Sequence, residues 1–189
     1  MNARRALLLP ALLALAAGCG GGDELAGKAE VPEGYTTYRG DGVSLAYPKR
    51  WQVHTRKDSD GGSSVRITPR SQAKTPSGLI LLVASPDAEK RFANNVKGRR
   101  AVMRQVSKAK IESDEEVDVP GTKEAHRLTA TAPPRAGTDP VEIKSDSLDL
   151  LRDNGDTLTV VVAAPQRDGD DELDPEAVVG SLRLSGASG

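Results

Sequence analysis

The sequence predicts an α+β fold, an antiparallel β-sheet flanked by helices, over residues 35–184. Three observations predict it. Asp41-Gly42 and Asn154-Gly155 each separate two short runs with alternating apolar residues, the signature of a hairpin turn. Pro and Gly recur at the ends of strand-like segments, as at Pro48, Pro69, Pro120-Gly121 and Pro133-Pro134. Helix-start chemistry occurs twice, at Ser85-Pro86-Asp87 and Asp174-Pro175, with a capping side chain before a first-turn proline. A sheet with one apolar face must cover it, and helices outside the strands are the available cover.

The elements follow in order. Tyr35 to Arg39 has strand composition, and Val43 to Tyr47 alternates at period two after the Asp41-Gly42 turn. Trp51 to Thr55 starts another strand. Asp58 to Ser64 is a turn or loop, and Val65 to Thr68 is a short strand stopped by Pro69. Residues 70–78 read as a loop. Gly78 to Ala84 is a continuous apolar run, the pattern of a central strand buried on both faces.

A helix is expected from about residue 86 to 107, with Phe92, Val96, Met103 and Val106 on its apolar stripe and Gly98 weakening its middle. Its exposed face is expected to carry Lys90, Arg91, Lys97, Arg99, Arg100, Arg104 and Lys108. Three or four strands are expected next, from the segments Lys110 to Val119, Lys123 to Ala132, Val141 to Arg152 and Thr157 to Ala164. The alternation slips between Ile143 and Leu148, which predicts a bulge near Ser145. A short helix from Pro175 to about Val179 and the segment Ser181 to Leu184 complete the domain, and residues 185–189 form a frayed tail.

Ahead of the domain the chain changes character. Met1 to Arg5 is basic, Ala6 to Ala17 is apolar, and Gly18-Cys19 closes the run, which is the layout of a secretory signal peptide. The run is shorter than the roughly 20 residues needed to span a bilayer. Leu15-Ala16-Ala17-Gly18-Cys19 resembles the lipobox of bacterial lipoproteins, with Ala16 where that box favours Leu. The resemblance implies cleavage between Gly18 and Cys19, a lipid on Cys19, and anchoring to the extracytoplasmic face of the cell membrane. Residues 1–18 would then be the signal peptide and residues 19–34 the lipidated Cys and a Gly-rich tether.

Composition limits the partners. Loss of Arg4 and Arg5 takes 26 basic residues to 24 against 27 acidic ones, a net charge of −3. That balance argues against a nucleic-acid partner. Cys19 is the only cysteine, so no disulfide forms within the chain and the domain relies on its apolar core.

A second resemblance covers residues 35–184. Leu45-Ala46-Tyr47-Pro48-Lys49-Arg50-Trp51, then Val119-Pro120-Gly121 leading to Ala125-His126-Arg127-Leu128, then Val179 to Leu184, are together similar to PsbP-like domains, including lipoproteins of the LpqN type. The resemblance implies an antiparallel sheet between helices in an α/β/α sandwich, and a binding or accessory role without catalytic residues.

No motif in the sequence carries chemistry. His54 and His126 stand alone in predicted strands, and a metal site needs three or four convergent ligands, so both read as structural. No Gly-x-Ser-x-Gly elbow is present. Asp168 to Asp174 lacks calcium-loop register and reads as a solvated acidic loop. Trp51 reads as core. Lys97, Arg99, Arg100 and Arg104 are the candidate patch for an anionic surface. The expected function is a non-catalytic binding or accessory lipoprotein of the cell envelope, without cofactor or metal, whose partner is an envelope protein or lipid. The alternatives are a carrier of a small apolar ligand between sheet and helix and, behind it, a hydrolase with an unrecognised site.

Overall fold

The computed structural model of the protein describes residues 31–70, 78–106, 108–134, 141–166 and 173–185. The signal peptide, Cys19, most of the tether and residues 186–189 of the tail lie outside the described residues. The fold is mostly antiparallel β-sheet with few helices. Its strands are β1 (Tyr35–Gly40), β2 (Val43–Pro48), β3 (Trp51–Lys57), β4 (Ser63–Pro69), β5 (Leu79–Ser85), β6 (Lys110–Glu116), β7 (Thr122–Ala132), β8 (Ile143–Arg152), β9 (Thr157–Pro165) and β10 (Arg183–Leu184). The helices are α1 (Phe92–Ala101), led by a 3-10 turn at Glu89–Arg91 and prolonged by a π turn at Val102–Val106, and α2 (Pro175–Gly180).

Two sheets form where the sequence suggests one. The larger has the order β3-β4-β5-β9-β8-β7-β6, and the smaller has β1-β2-β10. The β1–β2 turn is tight, with Asp41 at φ 51° and Gly42 at φ 70°, both left-handed as a type I′ turn requires. The Asn154-Gly155 hairpin between β8 and β9 is a wider loop in which Gly155 alone takes positive φ. Asp156 N donates to Asn154 Oδ1 and Asn154 Nδ2 donates to Asp156 Oδ2, so the loop closes on its own side chains.

One face of the large sheet packs on the small sheet and α2. Trp51, Ile67, Ile80, Leu148 and Val162 meet Val43 and Leu45 from β2 and Val178 and Val179 from α2 in one core. Burying a side chain of this kind stabilises the fold by about 1.5–3 kcal/mol. α2 starts as its sequence predicts: Asp174 Oδ1 accepts from Glu176 N at 3.0 Å and Ala177 N at 3.3 Å. Tyr35 joins in, its hydroxyl accepting from Asp174 N at 3.0 Å. Arg152 bridges the sheets by donating from Nη2 to Gly42 O at 2.6 Å and Asp41 O at 3.1 Å.

Three expectations change. Ser85-Pro86-Asp87 does not cap a helix. Ser85 ends β5, Asp87 takes φ 48°, and its N–H donates to Asp156 Oδ1 at 3.2 Å, so this segment is a turn docked on the β8–β9 hairpin. The helix begins later, with no side-chain cap at Arg91. No bulge falls at Ser145, where β8 keeps continuous register with both neighbours. Its alternation slips because Ser145 through Leu151 are all buried, with Ser145, Ser147 and Asp149 on one covered face and Asp146 on the other. The bulges lie instead between Ile111 and Ser113 and between Thr122 and Glu124. Finally, β5 is interior to the sheet but buried on one face only, with Ile80 and Leu82 inside and Leu79, Leu81 and Val83 half-buried.

Two glycines separate backbone need from chance. Gly78 has φ 134°, and a Cβ there would stand 2.8 Å from Trp51, 2.9 Å from Leu173 and 3.1 Å from Ala163 O. Gly98 lies within α1 with nothing within 4 Å of such a Cβ. Gly78→Ala is expected to destabilise the domain by about 1–3 kcal/mol. Gly98→Ala is expected to stabilise it by about 0.5–1 kcal/mol. Thermal unfolding followed by circular dichroism checks both, the first lowering the melting temperature and the second raising it.

Candidate functional site

Among the described residues, three ion pairs lie where the segment Glu89–Val106 crosses the second face of the large sheet. This segment is poor in apolar anchors. Within α1 only Phe92 and Val96 are buried, packed on Leu151 of β8. The Phe92 ring stands 6.1 Å from that of His126, tilted by 43°. Met103 and Ile111 add a smaller cluster with Ala109, Leu128 and Ala130.

Arginines do the rest of the fastening. Arg99 Nη2 donates to Asp149 Oδ1 at 2.5 Å and to Thr159 Oγ1 at 3.0 Å. Thr159 Oγ1 donates to the same carboxylate oxygen at 2.6 Å. At the next residue, Arg100 Nη2 donates to Asp114 Oδ1 at 2.7 Å, and its Nε lies against Asp114 Oδ2. That hydrogen bond raises the Arg100 guanidinium above its ordinary value. At the start of the segment Glu89 accepts from Lys123 Nζ at 3.0 Å on both oxygens.

The strand pattern explains why these partners meet. Thr159, Asp149, His126 and Glu116 are successive register partners across β9, β8, β7 and β6, so their side chains share one face. His126 Nε2 lies 2.9 Å from Glu124 Oε1 on the same strand. His126 Nδ1 and Arg99 Nε are buried without a hydrogen-bond partner among the described residues. The floor beneath is polar and satisfied: Ser145 Oγ donates to Ala130 O and Ser147 Oγ to Leu128 O, each at 3.1 Å.

The other face holds a second buried pair. Arg127 grips Asp146 in bidentate fashion, with Nη2 to Oδ2 at 2.6 Å and Nε to Oδ1 at 3.1 Å. Its hydrogen bond to Asp146 raises Arg127, while burial raises Asp146 against the pull of Arg127. These shifts pull the pair in opposite senses, and the two-pronged geometry favours the ionised form.

Of the basic residues singled out in the sequence, Lys97 and Arg104 are exposed, whereas Arg99 and Arg100 turn onto the sheet. The side chain of Arg99 is 14% exposed and that of Asp149 6%. The expected exposed face therefore loses its two central arginines to sheet carboxylates. His54 is exposed on the edge strand β3, and Trp51 is 2% exposed in the core. Of the acidic run 168–174, residues 168–172 lie outside the described residues, while Leu173 is buried and Asp174 caps α2. Among the described residues no three His, Cys, Asp or Glu side chains converge as a metal would need. A crevice between the sheets, lined by Tyr38, Val43, Ser63 and Leu158, is too narrow to admit a water molecule. Burial there raises the Tyr38 hydroxyl, and nearby Asp41 adds to it.

Sequence reasoning missed Asp146 and Asp149. The signal was present: carboxylates inside the apolar strand Ile143–Arg152 demand buried cations, and the nearest basic segments supply them.

No protein-family model matches the chain, and no curated protein matches it. Among solved structures it is similar to a protein of Bacteroides thetaiotaomicron VPI-5482, at 13% identity and a TM-score of 0.41, over 79% of this chain and 47% of that one. The chain thus spans about half the length of that protein. It is also similar to a Pseudomonas aeruginosa protein of unknown function, at 16% identity and a TM-score of 0.32, over 69% of this chain and 82% of that one.

Removing one partner of a buried ion pair leaves the other charge uncompensated. Asp149→Leu is expected to cost about 3–5 kcal/mol. The double variant Asp149→Leu/Arg99→Met is expected to recover most of that loss. Urea unfolding of the single and double variants measures the coupling, and simple additivity would show that the pair does not hold α1.

Proposed function

We propose that the protein is an exported lipoprotein, held on the extracytoplasmic face of the cell membrane by a lipid on Cys19. The observation that carries this reading is the unique cysteine at the end of a basic start, an apolar run and Ala16-Ala17-Gly18. A diacylated cysteine supplies the two chains that stable anchoring needs, since a single chain binds only marginally. No transmembrane helix is required for this, and among the described residues no helix is long and apolar enough to cross a membrane.

The anchored domain acts as a non-catalytic binding or accessory protein of the cell envelope, with an envelope protein or lipid as its partner. Its fold is read more finely as a PsbP-like α/β/α sandwich. Two contacts support that reading: α1 rests on Leu151 on one face of the large sheet, and α2 joins the core on the other. The charged groups near α1 support a binding role in a different way. Asp149, Asp114 and Glu89 each hold a cation of the fold, and the hydroxyl of Thr159 is committed to Asp149. Their chemistry is spent on positioning the helix.

Cys19→Ala tests the anchor. In cells it is expected to shift the protein from the membrane fraction to the soluble fraction, or to accumulate a precursor that retains residues 1–18. Fractionation followed by intact mass measurement reads both outcomes. Normal processing with full membrane retention of the variant would falsify the lipoprotein reading.

A further inference from the structure

Four cations of the α1 segment have no partner among the described residues. Lys90, Arg91, Lys97 and Arg104 are exposed, and among the described residues none of them pairs with a carboxylate. Lys90 lies in the 3-10 turn, Lys97 in α1 and Arg104 in the π turn, and all three are exposed along the segment. Phe92, Val96 and Arg99 occupy the side that faces the sheet. Because Arg99 and Arg100 are fastened to Asp149 and Asp114, the helix cannot roll, and the remaining cations are held outward.

The segment itself carries one sign outward. Glu89 is the only carboxylate between residues 89 and 106, and Lys123 occupies both of its oxygens. The same segment displays Val102 at 52% exposure, one of two large hydrophobic side chains so exposed among the described residues. Val102 is two residues from Arg104 and points to another side of the segment, so the exposed cations alone match the phosphates of a lipid headgroup layer.

We propose that the outer side of α1 docks on the anionic headgroups of a lipid bilayer. The proposal deepens the anchored reading above and rests on it for proximity to the membrane. The geometry permits both contacts at once. Tyr35 belongs to the small sheet on one face of the large sheet, and α1 covers the other, a separation of about 20–25 Å across layers packed roughly 10 Å apart. Tyr35 N donates to Pro32 O and Lys49 N to Gly34 O, so the turn at 32–34 belongs to the domain, and residues 20–31 span at most about 40 Å, which is long enough to pass around it.

The test uses full-length Cys19→Ala protein, so that lipidation plays no part. Partition is compared between phosphatidylglycerol–phosphatidylcholine vesicles and vesicles of phosphatidylcholine alone. The neutral arm subtracts any binding by the apolar run 6–17. Preference for the anionic vesicles is expected, weakening steeply between about 0.05 and about 0.5 M salt. Lys90→Glu/Lys97→Glu/Arg104→Glu is expected to lower that preference by about tenfold or more. Lys49→Glu/Arg50→Glu/Lys57→Glu makes the same charge change at exposed positions elsewhere and is expected to keep most of it. Equal loss in both variants, loss in neither, or capture by soluble dextran sulfate without any vesicle preference would each overturn the proposal. Failure of the anchor reading appears separately, in fractionation of cells carrying the Cys19→Ala variant.

Discussion

A strand buried on both faces cannot leave a polar side chain unmatched, and β8 is such a strand. From Ser145 to Leu151 every residue is covered, yet two of the seven are aspartates and two are serines. The serines satisfy themselves on carbonyls of β7. The aspartates cannot, since an isolated buried carboxylate costs several kcal/mol. Asp146 and Asp149 point to opposite faces, so the strand demands one arginine from each side. Arg127 answers from the neighbouring strand and Arg99 from the helix above. Much of the layer arrangement follows from these two obligations.

The attachment of α1 follows from the same constraint. A surface helix ordinarily adheres through an apolar stripe about 100° wide. α1 offers two buried apolar residues in ten, and its register on the sheet is set by paired charges. Directional bonds to Asp149 and Asp114 define rotation as well as position, which an apolar contact alone does poorly. The result is a helix whose inner and outer cations differ in role although they differ little in sequence. The edges of the large sheet follow a related logic. Arg56 and Lys57 on β3 and Glu115 and Glu116 on β6 place exposed charges along otherwise pairable strands, which discourages extension of the sheet by another chain.

Local chemistry made much of the fold legible. Asp41-Gly42 announced its hairpin because a type I′ turn needs two residues that tolerate positive φ, and Asp174-Pro175 announced α2 because its cap acts within three residues. What escaped was decided at long range. The third strand of the small sheet, β10, pairs only two residues with β2, too few for any periodicity to show. Ser85-Pro86-Asp87 has the composition of a cap, but Asp156 claims the Asp87 amide from 69 residues away. Arg99 and Arg100 looked like solvent-facing cations because spacing assigns a side of the helix without saying what lies beneath it. The carboxylates inside β8 were the available clue. Cys19 and the tether were read from the order of charge, apolarity and small side chains alone.

The order β1-β2-β10 has a mechanical consequence. It places the first and last strands of the domain on either side of β2, so both chain ends leave from the small sheet while the seven-stranded sheet contains neither. Any pull on the chain ahead of Tyr35 enters through β1, an edge strand bonded to one neighbour. Its hydrogen bonds with β2 then open in succession rather than sharing the load. The Arg152 bonds to the β1–β2 turn sit at the far end of that ladder, beyond Arg39, and are reached last. The small sheet thus works as a yielding link in series with the chain, and strain dissipates there before it reaches β8 and its buried charges.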